Sequence, residues 1–242
     1  MNDLEKQTHT AEELLKSYFG HDSFRTGQKQ IIDELESGRD VLGIMPTGGG
    51  KSICYQLPAL MADGITLVVS PLISLMKDQV TALVQSGIRG AFYNSSLNEA
   101  QCRKALANMA AGMYKIIYVA PERLETERFF EVCRGLKISY IAVDEAHCVS
   151  QWGQDFRPSY LKIPEFINKL PKRPVIGAFT ATATRAVRSD IVKLLGLNDP
   201  YVLTTGFDRP NLYFEVRHVS TKAERFGELM DIILSHSNKS GI

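Results

Sequence analysis

The sequence lacks the cysteine spacing of a metal site or of a disulfide framework. Its four cysteines are Cys54, Cys102, Cys133 and Cys148, and no two of them form a Cys-x-x-Cys pair. Most of them stand in apolar runs, so we expect reduced, mostly buried thiols and no zinc in this chain. A metal site is the alternative, but the sequence offers no ligand spacing for one.

Long apolar runs and a charge excess are also absent. The longest apolar stretches are far shorter than a membrane span, and residues 1–10 are polar and mixed in charge, unlike a signal peptide. We therefore expect a soluble, intracellular protein without a membrane partner. The 28 basic residues nearly balance the 27 acidic ones. Bulk charge thus gives no support to nucleic-acid binding, and any such contact must come from locally placed groups.

The sequence does contain a regular alternation of short apolar runs with longer stretches of helical spacing. Apolar runs rich in β-branched residues lie at 40–45, 65–70, 90–93, 115–120, 138–143, 175–179 and 201–204. Helical spacing is found at 72–85, 98–111 and 183–195, and a capping box from Ser96 to Glu99 is predicted to open the second of these. This alternation predicts an α/β fold with a parallel sheet covered by helices on both faces.

The pattern breaks near residues 205–211, where Gly206, Asp208, Pro210 and Asn211 interrupt it. We predict one domain over residues 1–205. Residues 206–242 are predicted to be a linker and the start of a truncated second domain, because so short a stretch cannot form a core of its own. Within it we expect a strand from Leu212 and a helix over about residues 222–235.

A glycine-rich loop follows the first predicted strand. It consists of Thr47, Gly48, Gly49, Gly50, Lys51 and Ser52, and a predicted helix begins near Ile53. Glycines let the backbone N–H groups wrap around phosphate, and a helix N-terminus adds a positive dipole end. The pattern predicts a nucleoside triphosphate site in which Lys51 reaches the β- and γ-phosphates and Ser52 binds Mg²⁺. Met45 replaces the usual first glycine, and the alternative is a turn with a chance Lys-Ser pair.

Two carboxylates stand at the end of the predicted strand 138–143. Asp144 and Glu145 would be costly beside a buried strand unless they have a function. We predict that Asp144 holds Mg²⁺ through water and that Glu145 is the general base for the attacking water. His147 is a candidate to connect the nucleotide site to DNA or to a second domain. The alternative is an ordinary helix start with acidic residues near its N-terminus.

Seven ordered motifs resemble those of the RecQ family of DNA helicases, and the resemblance extends from Leu15 to Asn211. The motifs lie at 18–28, 45–56, 70–79, 118–124, 144–147, 148–158 and 179–183. The resemblance implies a RecA-like P-loop NTPase fold and an ATP-dependent helicase that moves 3′ to 5′ on single-stranded DNA. It further implies duplex unwinding in DNA repair and recombination, with ATP and Mg²⁺ as cofactors.

In the family, the first motif binds adenine. The resemblance implies that Gln28 hydrogen-bonds the base edge, that Arg25 stacks on one face of the ring and that His21 covers the other face. The family usually has another aromatic residue at the position of His21. The alternative is that Phe19 and Phe24 are core residues and that the polar side chains are simply solvated.

The family's aromatic-rich loop, which senses single-stranded DNA and triggers hydrolysis, resembles the segment from Trp152 to Arg157. Trp152 and Phe156 offer π-faces for base stacking, and Arg157 can bind phosphate, with Asp155 as its expected local partner. The alternative is a tryptophan buried in a satellite core.

Other strand-end residues line the DNA track or couple hydrolysis to movement in the family. They are Ser70, Pro71, Lys77, Gln79, Arg123, Thr180 and Thr182. Backbone N–H groups and hydroxyls there would contact phosphates, and Lys77 and Arg123 are the charged candidates. For Thr180 and Thr182, capping of the next helix is an equally good explanation.

Two other functions are considered. A related RNA helicase also carries Asp-Glu-Ala-His, although the adenine-site motif and the Trp152 loop argue against it. An ATP-binding adaptor would not need Lys51, Asp144 and Glu145 intact. We expect single-stranded and partially duplex DNA as partners, together with a second motor domain in cis that supplies an arginine finger. Alone, residues 1–242 should turn over ATP slowly. The expected location is cytoplasmic and nucleoid-associated in a bacterium, or nuclear in a eukaryote.

Overall fold

A computed structural model describes residues 10–206 and 213–236 of the chain. The chain divides into two compact units between positions 207 and 208. The predicted start of the second domain at residue 206 and its assignment to a motor domain stay predictions, and most of the predicted break at 205–211, together with Leu212, lies outside the described residues.

The first unit is built on one parallel sheet. Its strands are β1 (Val41–Ile44), β2 (Ile65–Val69), β3 (Gly90–Tyr93), β4 (Ile116–Val119), β5 (Ile138–Val143), β6 (Val175–Thr180) and β7 (Tyr201–Thr204). Their spatial order is β3-β4-β2-β5-β6-β1-β7, and every neighbouring pair is parallel. The predicted α/β fold and parallel sheet are confirmed.

Helices separate most of the strands. They are α1 (Ala11–Phe19), α2 (Gln28–Glu36), α3 (Lys51–Met61), α4 (Ile73–Gln85), α5 (Glu99–Ala110), α6 (Glu127–Arg134), α7 (Ile163–Lys169) and α8 (Arg185–Leu194). Short 3₁₀ turns lie at Pro121–Arg123, Ala146–Val149 and Pro158–Lys162. None of the helices in the described residues is both long enough and apolar enough to cross a lipid bilayer.

The predicted capping box of α5 is wrong by two residues. Asn98, not Ser96, is the N-cap, and its side chain and that of Gln101 exchange hydrogen bonds with each other's backbone N–H groups. The Ser96 hydroxyl instead donates to Oδ1 of Asn94, which is buried at the end of β3. Asparagine is at least as good an N-cap as serine, so the tighter turn around Asn94 determines where the helix begins.

Burial explains why the central strands are almost uninterrupted runs of apolar residues. All residues of β1, β2 and β4 are buried, as expected for a parallel sheet covered on both faces. Two large apolar clusters fill the two sides of the sheet: Leu67 and Ile141 belong to one, and Val68 and Ala142 to the other. Alternate residues of each strand therefore anchor opposite helix layers.

The strand register brings the functional candidates to one edge. Val69 pairs with Val143 across β2 and β5, and Ile44 pairs with Thr180 across β1 and β6. Because the strands are parallel and end at nearly the same level, the loops that follow β1, β2, β5 and β6 emerge side by side. This is the edge at which open parallel sheets bind ligands.

The second unit contains one helix among its described residues, α9 (Lys222–Ser235). Its start agrees with the predicted helix, and Thr221 and Glu224 form its capping box. The strand predicted from Leu212 is wrong for residues 213–219, which have no regular secondary structure. None of the residues of α9 is buried, so its apolar side chains, such as Phe226 and Ile233, lack the packing that stabilises most helices.

The buried carboxylate of Asp40 connects three segments of the first unit that are distant in the sequence. Asp40 precedes β1 and is 2% exposed. It accepts hydrogen bonds from the backbone N–H groups of Ile176 (2.9 Å) and Asn198 (2.8 Å) and forms an ion pair with Arg173 (2.5 Å). A single side chain thus fixes the starts of β1 and β6 and the loop before β7.

We predict that Asp40→Ala lowers the free energy of unfolding by about 2–4 kcal/mol, because it leaves the buried Ile176 N–H and the partly buried Asn198 N–H without an acceptor and removes the carboxylate partner of Arg173. Urea unfolding followed by circular dichroism measures this change. Glu131→Ala is the control, since its ion pair with Arg134 is exposed and should contribute less than about 1 kcal/mol. Equal effects of the two variants would contradict this role of Asp40.

Candidate active site

The glycine-rich loop and the acidic pair share one cavity. Its volume is about 310 Å³, and it is lined by Thr47, Gly48, Gly50, Lys51, Ser52, Tyr55, Ser70, Leu75, Met76, Gln79, Tyr118, Asp144 and Glu145. The tips of β1 and β5 therefore face the same space, on the same edge of the sheet. This is the arrangement required if one nucleotide and one metal ion are to touch both motifs.

The loop after β1 has the backbone geometry of a phosphate cradle. Gly48 and Gly50 have φ of 81° and 80°, a region that favours glycine. Gly50 is the N-cap of α3, and no side chain caps this end of the helix. The Lys51 ammonium donates to the carbonyl oxygen of Met45 at 3.1 Å. The α3 N-terminus and the Lys51 ammonium thus provide a positively polarised surface that suits an anion.

Met45 departs from the usual glycine for a reason that the structure makes clear. Its side chain is 1% exposed and packs in one of the two large apolar clusters, with its sulfur 3.8 Å from Cys54 Sγ. Only its backbone carbonyl serves the loop, as the acceptor for Lys51. A side chain at this position therefore extends the core beneath the loop instead of obstructing the cradle.

Two residues of the predicted adenine motif hydrogen-bond to backbone carbonyls of the phosphate loop. Gln28 is 1% exposed; its Oε1 accepts from the N–H of Arg25 at 2.8 Å and its Nε2 donates to the Gly50 carbonyl at 3.0 Å. The exposed Arg25 guanidinium donates to the Gly48 carbonyl. A Cβ on Gly50 would lie 2.3 Å from Gln28 Nε2, so glycine is required there for space as well as for φ.

Adenine recognition by this stretch stays a prediction. His21 is exposed, like Arg25, and neither they nor Gln28 belong to the lining of the cavity around the loop. Phe19 and Phe24 pack against the cluster under α1 and α2, as the alternative interpretation expected for the phenylalanines. The polar residues of the motif are not merely solvated, because Gln28 and Arg25 bind the phosphate loop.

The two carboxylates after β5 differ in their electrostatics. Burial raises the pKa of Asp144 to about 6, and the negative charge of Glu145 adds to this effect. A hydrogen bond from His147 lowers the pKa of Glu145, and the charge of Lys51 acts in the same direction. Glu145 also has φ of 47°, an uncommon value for a residue with a side chain. Glu145 is therefore ionised at neutral pH, as a general base must be.

His147 connects the acidic pair to the end of β6. Its Nδ1 lies 2.9 Å from Oγ1 of Thr180 and 3.3 Å from Oε2 of Glu145. Contacts with the Cys148 sulfur and with Glu145 raise the pKa of His147. Thr180 is fully buried and donates to the carbonyl of Thr182. The alternative role of these threonines as helix caps is wrong, because Thr184 is the N-cap of α8.

The aromatic segment forms an exposed loop that is anchored by a buried residue. Trp152 is 79% exposed, so the alternative of a buried tryptophan is wrong. The anchoring residue is Ser150, which is fully buried. Its hydroxyl donates to Asp190 of α8 at 2.6 Å and accepts from the N–H of Trp152 at 3.1 Å. A Cβ on Gly153 would lie 2.3 Å from the His147 carbonyl oxygen. The loop therefore packs directly on the backbone of the acidic motif.

Arg157 and Arg123 are engaged within the protein. Arg157 donates to Asp155, its expected partner, at 2.7 Å and to the Pro71 carbonyl at 3.0 Å. Arg123 donates to the Asn94 carbonyl at 3.1 Å, and its guanidinium stacks over the Tyr93 ring. Both arginines therefore have structural partners, and their predicted contacts with phosphate remain untested.

The remaining candidates surround the start of α4. Ser70 is buried and lines the cavity, Pro71 is half-buried and Lys77 is exposed on the outer face of the helix. Phe156 in the neighbouring loop is half-buried. Gln79 points inward, where its side chain bonds to Gln56 and Tyr118.

Several residues of this site were missed at the level of sequence. They are Tyr55, Gln56, Tyr118, Ser150 and Asp190. The available signal was a polar residue on the apolar face of a predicted helix, such as Gln56 in α3. The sequence pattern alone cannot distinguish a polar side chain that is hydrogen-bonded in the core from one that is solvated. Their roles depend on partners more than 20 residues away in the chain.

The donor set suits a hard cation that also binds phosphate. The Ser52 hydroxyl and the Asp144 carboxylate line the same cavity as the loop. Mg²⁺ typically takes one or two carboxylates and completes its shell with phosphate oxygens and water. Within residues 10–206 and 213–236 there is no group of three or more His, Cys, Asp or Glu side chains that could hold a metal ion without such a substrate.

We predict that Asp144→Asn stabilises the folded chain above about pH 6.5. A folded-state pKa of about 6 against an ordinary 3.8 means that ionisation of Asp144 costs the folded state about 3 kcal/mol. The folded state holds the extra proton between about pH 4 and pH 6, so wild-type stability falls as the pH rises through this window. The asparagine does not titrate. Urea unfolding at several pH values should show a stability gain that disappears near about pH 4.

Asp22→Asn is the control for the loss of an exposed carboxylate: the Asp22 side chain is 86% accessible and its ion pair with Lys16 is at the surface, so the change should alter stability by less than about 1 kcal/mol. A gain for Asp144→Asn that is the same at both ends of the pH range would contradict the assigned cause.

Comparison with known proteins agrees with this site. The sequence profile of the DEAD/DEAH box helicases matches residues 25–189. The chain is 46% identical over 235 residues to the ATP-dependent DNA helicase RecQ of Bacillus subtilis, and 44% identical over 236 residues to that of Pasteurella multocida. These alignments cover 97% and 96% of this chain but only 39% and 36% of the relatives. The chain thus spans less than half the length of the curated relatives that it matches.

Solved structures show the same fold. The Mycobacterium smegmatis helicase Lhr, bound to ssDNA and AMP-PNP, superimposes with a TM-score of 0.69 at 17% identity, over 96% of this chain and 33% of that one. The DEAD-box helicase Mss116, bound to ssRNA and UDP-BeF, gives 0.64 at 17% identity, over 83% of this chain and 44% of that one. The expected RecA-like fold and the resemblance to RecQ are confirmed, and the chain belongs to the DEAD/DEAH box helicase family.

Proposed function

We propose that this chain is the nucleotide-binding motor domain of an ATP-dependent DNA helicase of the RecQ type. The observation that carries the proposal is the cavity in which the phosphate loop meets Asp144 and Glu145, with the exposed Trp152 loop attached directly to the same acidic motif. The identity to proteins named RecQ over nearly the whole chain supports DNA as the partner.

In this proposal the glycine loop, Lys51, Ser52, Asp144 and Glu145 each have one task toward ATP. The N–H groups of the glycine loop and of the α3 N-terminus bind the β-phosphate, and Lys51 leaves the Met45 carbonyl to bind the γ-phosphate. Ser52 and Asp144 would hold Mg²⁺, and the ion would supply positive charge to the phosphate oxygens. Glu145, kept ionised by His147 and Lys51, accepts the proton of the attacking water.

The side that faces DNA consists of α4 and the aromatic loop. Trp152 offers an exposed ring for base stacking, and Lys77 presents a charge on the outer face of α4. The N-terminus of α4 has no side-chain cap, so its first N–H groups are suited to phosphate. Arg157 ties the two elements together through the Pro71 carbonyl.

The same contacts suggest how DNA binding reaches the chemistry. A shift of the loop at Trp152 acts on the His147 backbone through the close approach of Gly153. His147 bonds to Glu145 and to Thr180, so its position orients the base and the end of β6 together. In this proposal the loop acts on hydrolysis through the base and not by contacting the nucleotide.

Full activity requires groups beyond this unit. An arginine from a second motor domain stabilises transition-state charge in related ATPases and contributes on the order of 10³–10⁵ in rate. We propose that residues 206–242 lead into that domain, and that movement is 3′ to 5′ as in the family. Residues 1–242 alone are then expected to turn over slowly.

The test compares nucleic acids as activators of the full-length protein. We expect ATP hydrolysis to rise at least tenfold with single-stranded DNA and much less with RNA of the same sequence, because the similar proteins are named DNA helicases and the 2′-hydroxyl lets a protein distinguish RNA from DNA. A steady-state coupled assay measures the rates. Stronger activation by RNA would favour the related RNA helicases, and hydrolysis that ignores both strands would contradict the proposal.

Trp152→Ala and Trp152→Phe form the matched pair in the same assay. Trp152→Ala should retain affinity for ATP and lose most of the DNA stimulation, whereas Trp152→Phe, which keeps a π-face, should retain a substantial part of it. An unchanged DNA response in Trp152→Ala would remove the role assigned to the loop.

A further inference from the structure

A network of buried hydrogen bonds links α4 to the P-loop helix α3. Nε2 of Gln56, on α3, donates to Oε1 of Gln79 at 3.0 Å and to the Tyr118 hydroxyl at 2.8 Å. The Tyr118 hydroxyl donates to the same Gln79 oxygen at 3.4 Å. The three side chains come from α3, α4 and β4, so they form a polar triangle between elements that are otherwise held by apolar contacts.

The hydrogen-bonded triangle is attached to the helix that begins at the phosphate loop. Gln56 and Ser52 lie about one turn apart on α3. Ser52, Tyr55, Gln79 and Tyr118 all line the cavity that holds the phosphate loop. The bonds of Gln56 to Gln79 and Tyr118 therefore connect the inner face of α4 to the helix whose first turn carries the hydroxyl that is proposed to bind Mg²⁺.

The hydrogen-bonded side chains of this triangle are buried. Gln56 is 5% exposed and Tyr118 is 1% exposed. Polar groups enclosed in this way must keep their partners, because a buried group left without one costs about 1–3 kcal/mol. A displacement of Gln79 thus obliges Gln56 and Tyr118 to follow or to lose hydrogen bonds.

Helix α4 is placed to move in response to a ligand on its outer face. Only Met76 and Leu83 are buried among its residues. Its exposed face carries Lys77, and Arg157 of the aromatic loop holds the Pro71 carbonyl just before it. Few apolar anchors and a polar attachment at Gln79 suit an element that shifts between two positions.

We propose that Gln79, Tyr118 and Gln56 are positioning residues that transmit the DNA-bound position of α4 through helix α3 to Ser52. Gln79 then acts inside the protein, as the link between the DNA track and the metal site, and does not contact DNA itself. This inference rests on the proposed function, because it assumes that DNA binds to α4 and that ATP occupies the cavity. It adds a second route of coupling, separate from the route through Trp152 and His147.

The experiment measures DNA-stimulated ATP hydrolysis by the full-length protein carrying Tyr118→Phe or Gln79→Met. Each change removes hydrogen bonds and retains most of the volume. We expect the maximal stimulated rate, relative to the rate without DNA, to fall about two- to tenfold, the worth of one or two hydrogen bonds. The DNA concentration for half-maximal stimulation should change little, because the outer face of α4 is intact.

Tyr114→Phe is the matched control. The Tyr114 hydroxyl accepts a hydrogen bond from Asn108 at 2.9 Å, and Tyr114 does not line the nucleotide cavity. This variant should keep the wild-type stimulation. The double variant Tyr118→Phe/Gln79→Met should lose no more than the more severe single variant, because residues of one network are not additive.

The outcomes separate the two proposals. If the wild type is stimulated by DNA and the Tyr118 and Gln79 variants behave like Tyr114→Phe, the network does not transmit the signal and this inference is wrong. A rise in the half-maximal DNA concentration with an unchanged maximal rate would also overturn it, since Gln79 would then act in DNA binding. A wild-type protein without any DNA stimulation would instead refute the proposed function.

Discussion

The convergence of parallel strand ends on one small cavity is the constraint from which the rest of the site follows. Strands β1 and β5 lie on either side of β6 and end at the same edge of the sheet. Lys51 and Asp144, which follow them, therefore line one cavity of about 310 Å³. The cost of enclosing two carboxylates appears in the raised pKa of Asp144, and it is offset in part by Lys51 and by the N–H of Glu145. A triphosphate and its metal ion are the ligands that such an arrangement of charges suits.

Two elements beside this cavity, the aromatic loop and α4, are attached to the rest of the domain by a small number of buried polar contacts. Ser150 anchors the aromatic loop to α8 through Asp190, and Gln79 anchors α4 through Gln56. A buried polar anchor must keep its partner or leave a costly unpaired group, so it restricts the positions that the attached element can take. In the proposed function, these anchors connect the elements that face DNA to the residues that face ATP.

Much of the fold could be predicted because it depends on local signals. Buried parallel strands are continuous apolar runs, and the helical spacing predicted at 183–195 stops just before Gly196, whose left-handed φ of 65° favours glycine after the end of a helix. The phosphate loop and the acidic pair could also be predicted, since both directly follow predicted strands. Contacts between residues distant in the sequence could not be predicted. Gln79 and Arg157 were expected at the DNA surface, but they hydrogen-bond to Gln56 and to the Pro71 carbonyl in other parts of the protein. The strand expected from Leu212 has no paired strand among the described residues, and apolar alternation alone does not form one.

The most direct test of this account is a crystal structure of the chain with Mg²⁺ and a non-hydrolysable ATP analogue. We expect the Lys51 ammonium to leave the Met45 carbonyl for the γ-phosphate, the Ser52 hydroxyl to touch the metal ion, and Asp144 to reach the ion directly or through one water. A triphosphate bound elsewhere, or an ion without contact to both Ser52 and Asp144, would contradict it.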